Sequence, residues 1–146
     1  MKSVGELYFR QLLAGRDFAA DDDVARQMVN FCYLIGDREK RECVVVDPAW
    51  DVGGLVDAAA GDGMRVVGAL ATHYHPDHVG GAMFGLEVEG AARLQESAPV
   101  PVHCHRDEAY GIKFMTGLSD SDLVLHDGGD ALEVGDVRIE LLHTPG

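Results

Sequence analysis

The run Arg65–Thr72 (RVVGALAT) limits the folds open to this chain more than any other segment. It is almost continuously apolar, as a strand covered on both faces must be, and such strands belong to parallel sheets flanked by helices. The segments on either side fit that setting. Residues 30–36 and 42–48 are rich in β-branched and aromatic side chains, are joined by the charged turn Asp37–Arg41, and end at Gly36 and Pro48. They predict a hairpin. Apolar residues at 52, 55, 56 and 59 give Val52–Ala60 a helical spacing, with Asp51 as its N-cap and Gly61 as its stop. Beyond the apolar run, residues 82–97 predict a helix interrupted by Gly85 and Gly90, Val100–His103 a strand, and 107–115 a helix. Residues 123–143 alternate short strands with the turn signals Asp127-Gly128-Gly129-Asp130 and Gly135-Asp136. Residues 1–28, mixed and acidic around Asp21–Asp23, read as a loop-rich lead-in. Strand, helix, buried strand, helix, strand makes the fold class α/β, with a sheet that the hairpin and the last strands make mixed. No repeat, low-complexity tract or Pro/Ser-rich linker divides residues 1–146, which read as a single domain.

Composition narrows the function classes. The 12 Lys+Arg against 25 Asp+Glu leave a net charge of −13. So acidic a surface repels a phosphate backbone, and nucleic acid is not an expected partner. No apolar run reaches the roughly 18 residues of a membrane helix, and the first twenty residues lack the apolar core of a signal peptide. Cys32, Cys43 and Cys104 are odd in number and far apart, which is no disulfide framework. The expectation is a cytoplasmic protein in a reducing compartment, with no membrane partner and a small-molecule substrate. A homodimer is left open.

The chemistry-bearing residues follow the apolar run directly: Thr72-His73-Tyr74-His75-Pro76-Asp77-His78-Val79-Gly80-Gly81. On an extended strand end His73 and His75 share a face, about 6–7 Å apart along the backbone, and two imidazoles so placed converge on one ion. Asp77 and His78 come after a proline that turns the chain, so a carboxylate and a third imidazole face the same pocket from its other side. The carboxyl end of a strand is where open α/β sheets place their sites. Gly80 and Gly81 let the backbone pass close by and start the next helix. At the far end, His143-Thr144-Pro145-Gly146 puts another imidazole at the end of the strand Val137–Leu142, and Pro-Gly turns the backbone away.

Together, His73-x-His75-x-Asp77-His78 and the distant His143-Thr-Pro-Gly resemble the metallo-β-lactamase superfamily, most closely its branch of glyoxalase II and related thioester hydrolases. The strand pair ending in Val46-Asp47-Pro48 extends the likeness over most of the chain. The resemblance implies that His73, His75 and His143 hold a first metal ion and that Asp77 and His78 hold a second. It implies zinc, one or two per chain; imidazole-plus-carboxylate ligation also suits iron or manganese. The implied reaction is hydrolysis of a small thioester, lactone or ester by metal-bound hydroxide, with Asp77 binding the second ion and orienting the nucleophile. An alternative of the same fold is a sulfur dioxygenase with one iron on the His73/His75 face. The implied fold is a four-layer αβ/βα sandwich, of which this chain resembles the first half to two-thirds. The expectation is therefore a C-terminally truncated domain whose bridging aspartate and final histidine lie beyond Gly146. One face of its first sheet then lacks a partner, and a non-catalytic metal-binding fragment is a further reading. A nuclease is disfavoured by the −13 charge, and β-lactam hydrolysis by the lack of any sign of export.

Other tempting residues read as structural. His103-Cys104-His105 also places two imidazoles on one face, but with no carboxylate before Asp107-Glu108. His126 reads as a turn residue, Cys32 and Cys43 as small buried hydrophobes, and Trp50 and Phe114 as core or rim aromatics. Asp21–Asp23 lacks the alternating oxygen spacing of a calcium loop and reads as a solvated run.

Overall fold

The computed structural model describes residues 4–145, so Gly146 of the last motif lies outside the described residues. A six-stranded mixed sheet carries the molecule. Its strands are β1 (Leu7–Leu13), β2 (Phe31–Asp37), β3 (Glu42–Val46), β4 (Arg65–Leu70), β7 (Val102–His105) and β8 (Leu123–His126), in the spatial order β1-β2-β3-β4-β7-β8. β1, β2 and β3 pair antiparallel, and β3, β4, β7 and β8 pair parallel. The parallel strands end along one edge of the sheet, and the chemistry gathers at that edge. The α/β class, the mixed sheet and the β2–β3 hairpin all follow the sequence expectation.

Helices α1 (Asp23–Met28), α2 (Val52–Gly61), α4 (Ala91–Ser97) and α5 (Ala109–Thr116) share one core with one face of the sheet. Leu34, Val45, Ala69, Val102 and Cys104 from the strands meet Ala25, Leu55, Leu94 and Ile112 from the helices, all at most 1% exposed. Each such Leu, Ile or Val side chain contributes about 1.5–3 kcal/mol by leaving water. Asp51 caps α2 as the sequence suggests, its Oδ1 accepting from the Gly54 amide at 2.9 Å. The helix runs past the expected stop at Gly61 to a C-cap at Asp62, and the left-handed residue that turns the chain is Gly63.

Three expectations are corrected. The lead-in over residues 1–28 is not loop-rich throughout: it supplies the edge strand β1 and helix α1. Asp22 of the acidic run is the N-cap of α1, accepting from the Val24 and Ala25 amides. Gly80 and Gly81 do not start a helix. Gly80 closes the short helix α3 (Pro76–Val79) at φ +92°, and Gly81 opens a hairpin of β5 (Gly81–Met83) and β6 (Leu86–Val88). Helix α4 begins only after Gly90, whose Cβ would collide with the Val79 carbonyl. The last strand is also shorter than expected. β10 (Val137–Glu140), paired antiparallel with β9 (Ala131–Val134) around Gly135-Asp136, stops three residues before His143.

The β9–β10 hairpin lies on the second face of the large sheet, where Leu132 and Val134 pack with Val44. Toward β1 and the start of β2 that face is open among the described residues. Leu7, Phe9 and Phe31 are exposed, and the Phe9 and Phe31 rings stand 5.7 and 6.4 Å from that of Tyr33. The hairpin is clipped to β2 by Asp37. This buried carboxylate accepts the amides of Glu6, Glu39 and Lys40 through Oδ1 and that of Asp136 through Oδ2.

Candidate metal centre

Where β3 and β4 end, two short loops face one another. The β3–α2 loop carries Asp47 and Trp50 at φ +55° and +71°, the left-handed region that side chains other than glycine rarely enter. Two non-glycine residues held there three positions apart show a backbone constrained by its surroundings. Cys32 helps fix Asp47, its thiol donating to the Asp47 carbonyl at 3.0 Å. Burial, and then the Asp47 charge, push that thiol up to about 12, so it stays protonated and able to donate. The sequence reading of Cys32 as an inert buried residue agrees.

The Asp47 carboxylate captures the start of the facing loop. Its Oδ1 accepts the Thr72 amide at 2.7 Å, and its Oδ2 accepts the Thr72 hydroxyl at 2.7 Å and His78 Nδ1 at 2.9 Å. This capture ends the strand: β4 stops at Leu70, and His73 and His75 stand on a loop rather than on a pleated strand end. They converge nonetheless. The His73 and His75 rings are 4.7 Å apart edge to face, and His73 and His78 are 4.1 Å apart. Pro76 opens α3 with His75 as its N-cap, which brings Asp77 and His78 back over His73. Asp77 Oδ2 lies 3.4 Å from His78 Nε2. Tyr74 anchors the loop from outside, its amide donating to Glu108 Oε1 at 3.0 Å. Its ring lies so close to Gly111 that a Cβ there would sit 2.5 Å from Cγ.

Donor and acceptor roles fix the tautomers. The Thr72 hydroxyl has one hydrogen, given to Asp47, so across the 2.9 Å contact with His73 Nδ1 it accepts. His73 therefore carries its proton on Nδ1. His78 likewise donates Nδ1–H to the Asp47 carboxylate. Both Nε2 lone pairs are thus available, beside a carboxylate, which is the donor set that imidazole-ligated divalent ions require. Ligand atoms from Asp47, His73 and His78 all lie within 4.8 Å of one another. Burial, then the neighbouring His78 charge, lower the His73 pKa, keeping that ring neutral, as a metal ligand must be; the hydrogen bond to Asp47 raises that of His78.

Of the expected ligands, His73, His75, Asp77 and His78 are together, and His143 is elsewhere. Its ring stacks on His105 with centroids 3.9 Å apart and planes 8° from parallel. His105, Asp107 and His143 form a second group of potential ligand atoms. That group is a poor fit to an ion: His105 Nδ1 accepts the Asp107 amide at 3.0 Å, and parallel rings do not aim their in-plane lone pairs at one point. Asp47 was not among the sequence candidates. Its signal was a carboxylate at the end of an apolar strand, in Val46-Asp47-Pro48.

Residues 25–146 match the sequence profile of the metallo-beta-lactamase superfamily. The chain belongs to that superfamily. Among its relatives is a hydroxyacylglutathione hydrolase of Rhodopseudomonas palustris, 32% identical over 117 residues that make up 80% of this chain and 39% of that protein. A probable polyketide biosynthesis zinc-dependent hydrolase of Bacillus velezensis is 38% identical over 50 residues, 34% of this chain and 22% of that one. Solved folds agree. A metallo-beta-lactamase from Staphylococcus aureus superposes with a TM-score of 0.70 at 21% identity, over 97% of this chain and 36% of that one. ETHE1 from Myxococcus xanthus gives 0.62 at 21% identity, over 91% and 46%. The superfamily chain described here thus spans well under two thirds of the length of these relatives.

Proposed function

We propose that this chain forms the metal-binding part of a hydrolase that cleaves a small thioester, lactone or ester, in the manner of the hydroxyacylglutathione hydrolases it resembles. The observation that carries the reading is the pair of imidazoles His73 and His78, both engaged at Nδ1, which leaves Nε2 of each as the ring nitrogen for an ion. In this reading His73 and His75 hold one ion and Asp77 and His78 a second, with His143 joining the first. A bound divalent ion supplies a water of lowered pKa and polarises the carbonyl to be attacked. The protein's part is to keep His73 neutral, to hold His78 in one tautomer through Asp47, and to present the Asp77 carboxylate beside both. Zinc suits these ligands, and iron or manganese would also be held. Among the described residues no helix is long and apolar enough to cross a membrane. The cysteines are free and buried, which fits a reducing, cytoplasmic setting.

Elemental analysis of the purified chain after zinc loading tests the reading, followed by assay against a hydroxyacyl-glutathione thioester. One to two zinc ions per chain are expected, with most lost in His75→Ala. No uptake, or full uptake by His75→Ala, overturns the assignment. A single tightly held iron moves the reading to a sulfur dioxygenase.

A further inference from the structure

Asn30 stands between the end of α1 and the start of β2, and its side chain reaches the candidate metal centre. Its Nδ2 donates to Asp77 Oδ2 at 3.0 Å and lies 3.4 Å from His78 Nε2. On the other side, Trp50 Nε1 donates to Asn30 Oδ1 at 3.2 Å. An indole N–H is a donor only, so it can face only the oxygen of the amide. The Trp50 contact therefore decides which way Asn30 points: oxygen to the indole, and both amide hydrogens to the Asp77–His78 pair. Trp50 is itself 8% exposed and held at φ +71°, with its amide bonded to the Glu89 carbonyl at 2.9 Å. The indole is a fixed post rather than a mobile surface ring.

The same two atoms, Asp77 Oδ2 and His78 Nε2, are those that the proposed function assigns to the second ion. With Nδ1–H of His78 given to Asp47, the lone pair on Nε2 faces the Asn30 amide. When His78 is deprotonated, as a metal ligand must be, its Nε2 lone pair and the Asp77 oxygen 3.4 Å away repel unless a positive group lies between or beside them. The amide hydrogens of Asn30 are that group. We propose that Asn30, aimed by Trp50, is a positioning residue that holds Asp77 and His78 in metal-binding geometry before an ion arrives. The inference rests on the metal-site reading above. It adds two residues to that reading, and neither of them is a ligand.

The test uses the whole chain, with imidazole nitrogens labelled, and two variants. Asn30→Leu keeps the branched shape and removes the amide; Trp50→Phe keeps Asn30 and removes the donor that aims it, and it remains informative if Asn30→Leu does not fold. In the metal-free protein, the Nε2 resonance of His78 is expected to shift in both variants. Zinc affinity from chelator competition is expected to fall 10–100-fold in Asn30→Leu, the range for lost outer-shell partners, and by less in Trp50→Phe. In the double variant the two losses should not add, because the second residue acts through the first. Zinc affinity within twofold of wild type in the variants overturns the inference. Failure of the wild-type chain to bind zinc overturns the proposed function instead. The metal-free resonances then decide for Asn30 alone: shifted, they support its role, and unchanged, they end it.

Discussion

Asp37 Oδ2 accepts the backbone amide of Asp136 at 2.8 Å, across 99 positions of sequence. With Glu6, Glu39 and Lys40 on the other oxygen, one carboxylate holds the N-terminal segment, the β2–β3 turn and the β9–β10 turn at a single point. These amides, Asp136 first, hold its pKa below the ordinary 3.8. A carboxylate with a depressed folded pKa stabilises above its unfolded pKa and loses that contribution as pH falls. Asp37→Asn, which turns an amide hydrogen toward one of these donors, is expected to lower the thermal midpoint by several degrees at pH 7. It should also flatten the acid-unfolding curve below about pH 4. Calorimetry across pH measures both, and an unchanged midpoint would count against the clip.

Asp47 tests the tautomer. Asp47→Asn presents an amide N–H to one of three donors, the Thr72 amide, the Thr72 hydroxyl or His78 Nδ1–H, whichever way the side chain turns. A buried donor facing a donor costs about 1–3 kcal/mol. His78 can escape by moving its proton to Nε2, which removes the lone pair the ion needs. Zinc affinity is expected to fall about 10–100-fold, read by chelator competition.

Much of this was legible in the sequence, for physical reasons that differ from element to element. The apolar run of β4 and the capping aspartate of α2 announce themselves because burial and N-capping act locally. The His73–His78 cluster is legible because its ligands lie within six residues of one another. β1 was missed because only Tyr8 and Leu12 of LYFRQLL are buried, while Leu7 and Phe9 face outward on the open side of the sheet. Asp47 and Asn30 were missed for another reason: each acts on a ligand about 30 or more positions away, through contacts that only the folded chain creates. His143 shows the reverse case, a motif plain in the sequence whose side chain here stacks on His105.

His103 gives a second pH window. It is half-buried, its Nδ1 lies 2.9 Å from His126 Nε2, and burial, then the His126 charge, push its pKa down from 6.5 to about 4. A histidine held neutral by the fold binds fewer protons than the unfolded chain between those values, so stability falls as pH drops from 6.5 to about 4. Discounted for partial exposure, the loss is about 1–2 kcal/mol. His103→Leu should remove this slope while leaving the Asp37 window below it intact. Urea midpoints at pH 7, 5.5 and 4.5 follow the His103 window, and a further series taken below about pH 4 follows that of Asp37.

The open face of β1 and β2 predicts association. Leu7 and Phe9 are 61% and 55% exposed on the edge strand, beside Phe31 and Tyr33 of the next. An apolar patch on an unpaired strand edge binds dyes and other edges. The chain is expected to enhance the fluorescence of an apolar dye and to sediment heavier as concentration rises. Phe9→Lys should reduce both while changing folding stability by no more than about 0.5 kcal/mol, because the side chain is exposed. Unchanged sedimentation in that variant would place the contact elsewhere.

His105 separates the two histidine groups. If the ring stack with His143 were itself a metal site, removing His105 would remove an ion. Its Nδ1 is engaged with the Asp107 amide, and its plane is 8° from that of His143. Both facts leave it unable to share an ion with its neighbour in this arrangement. His105→Ala is therefore expected to leave zinc stoichiometry at the wild-type value. It should also free the His143 ring, whose proton resonances would lose the upfield shift that a ring stacked 3.9 Å away imposes. Zinc affinity should stay level or rise, because His143 no longer has to leave a stacked partner before it can join His73 and His75. A loss of one zinc per chain in His105→Ala would instead make the His105–Asp107–His143 group a site in its own right.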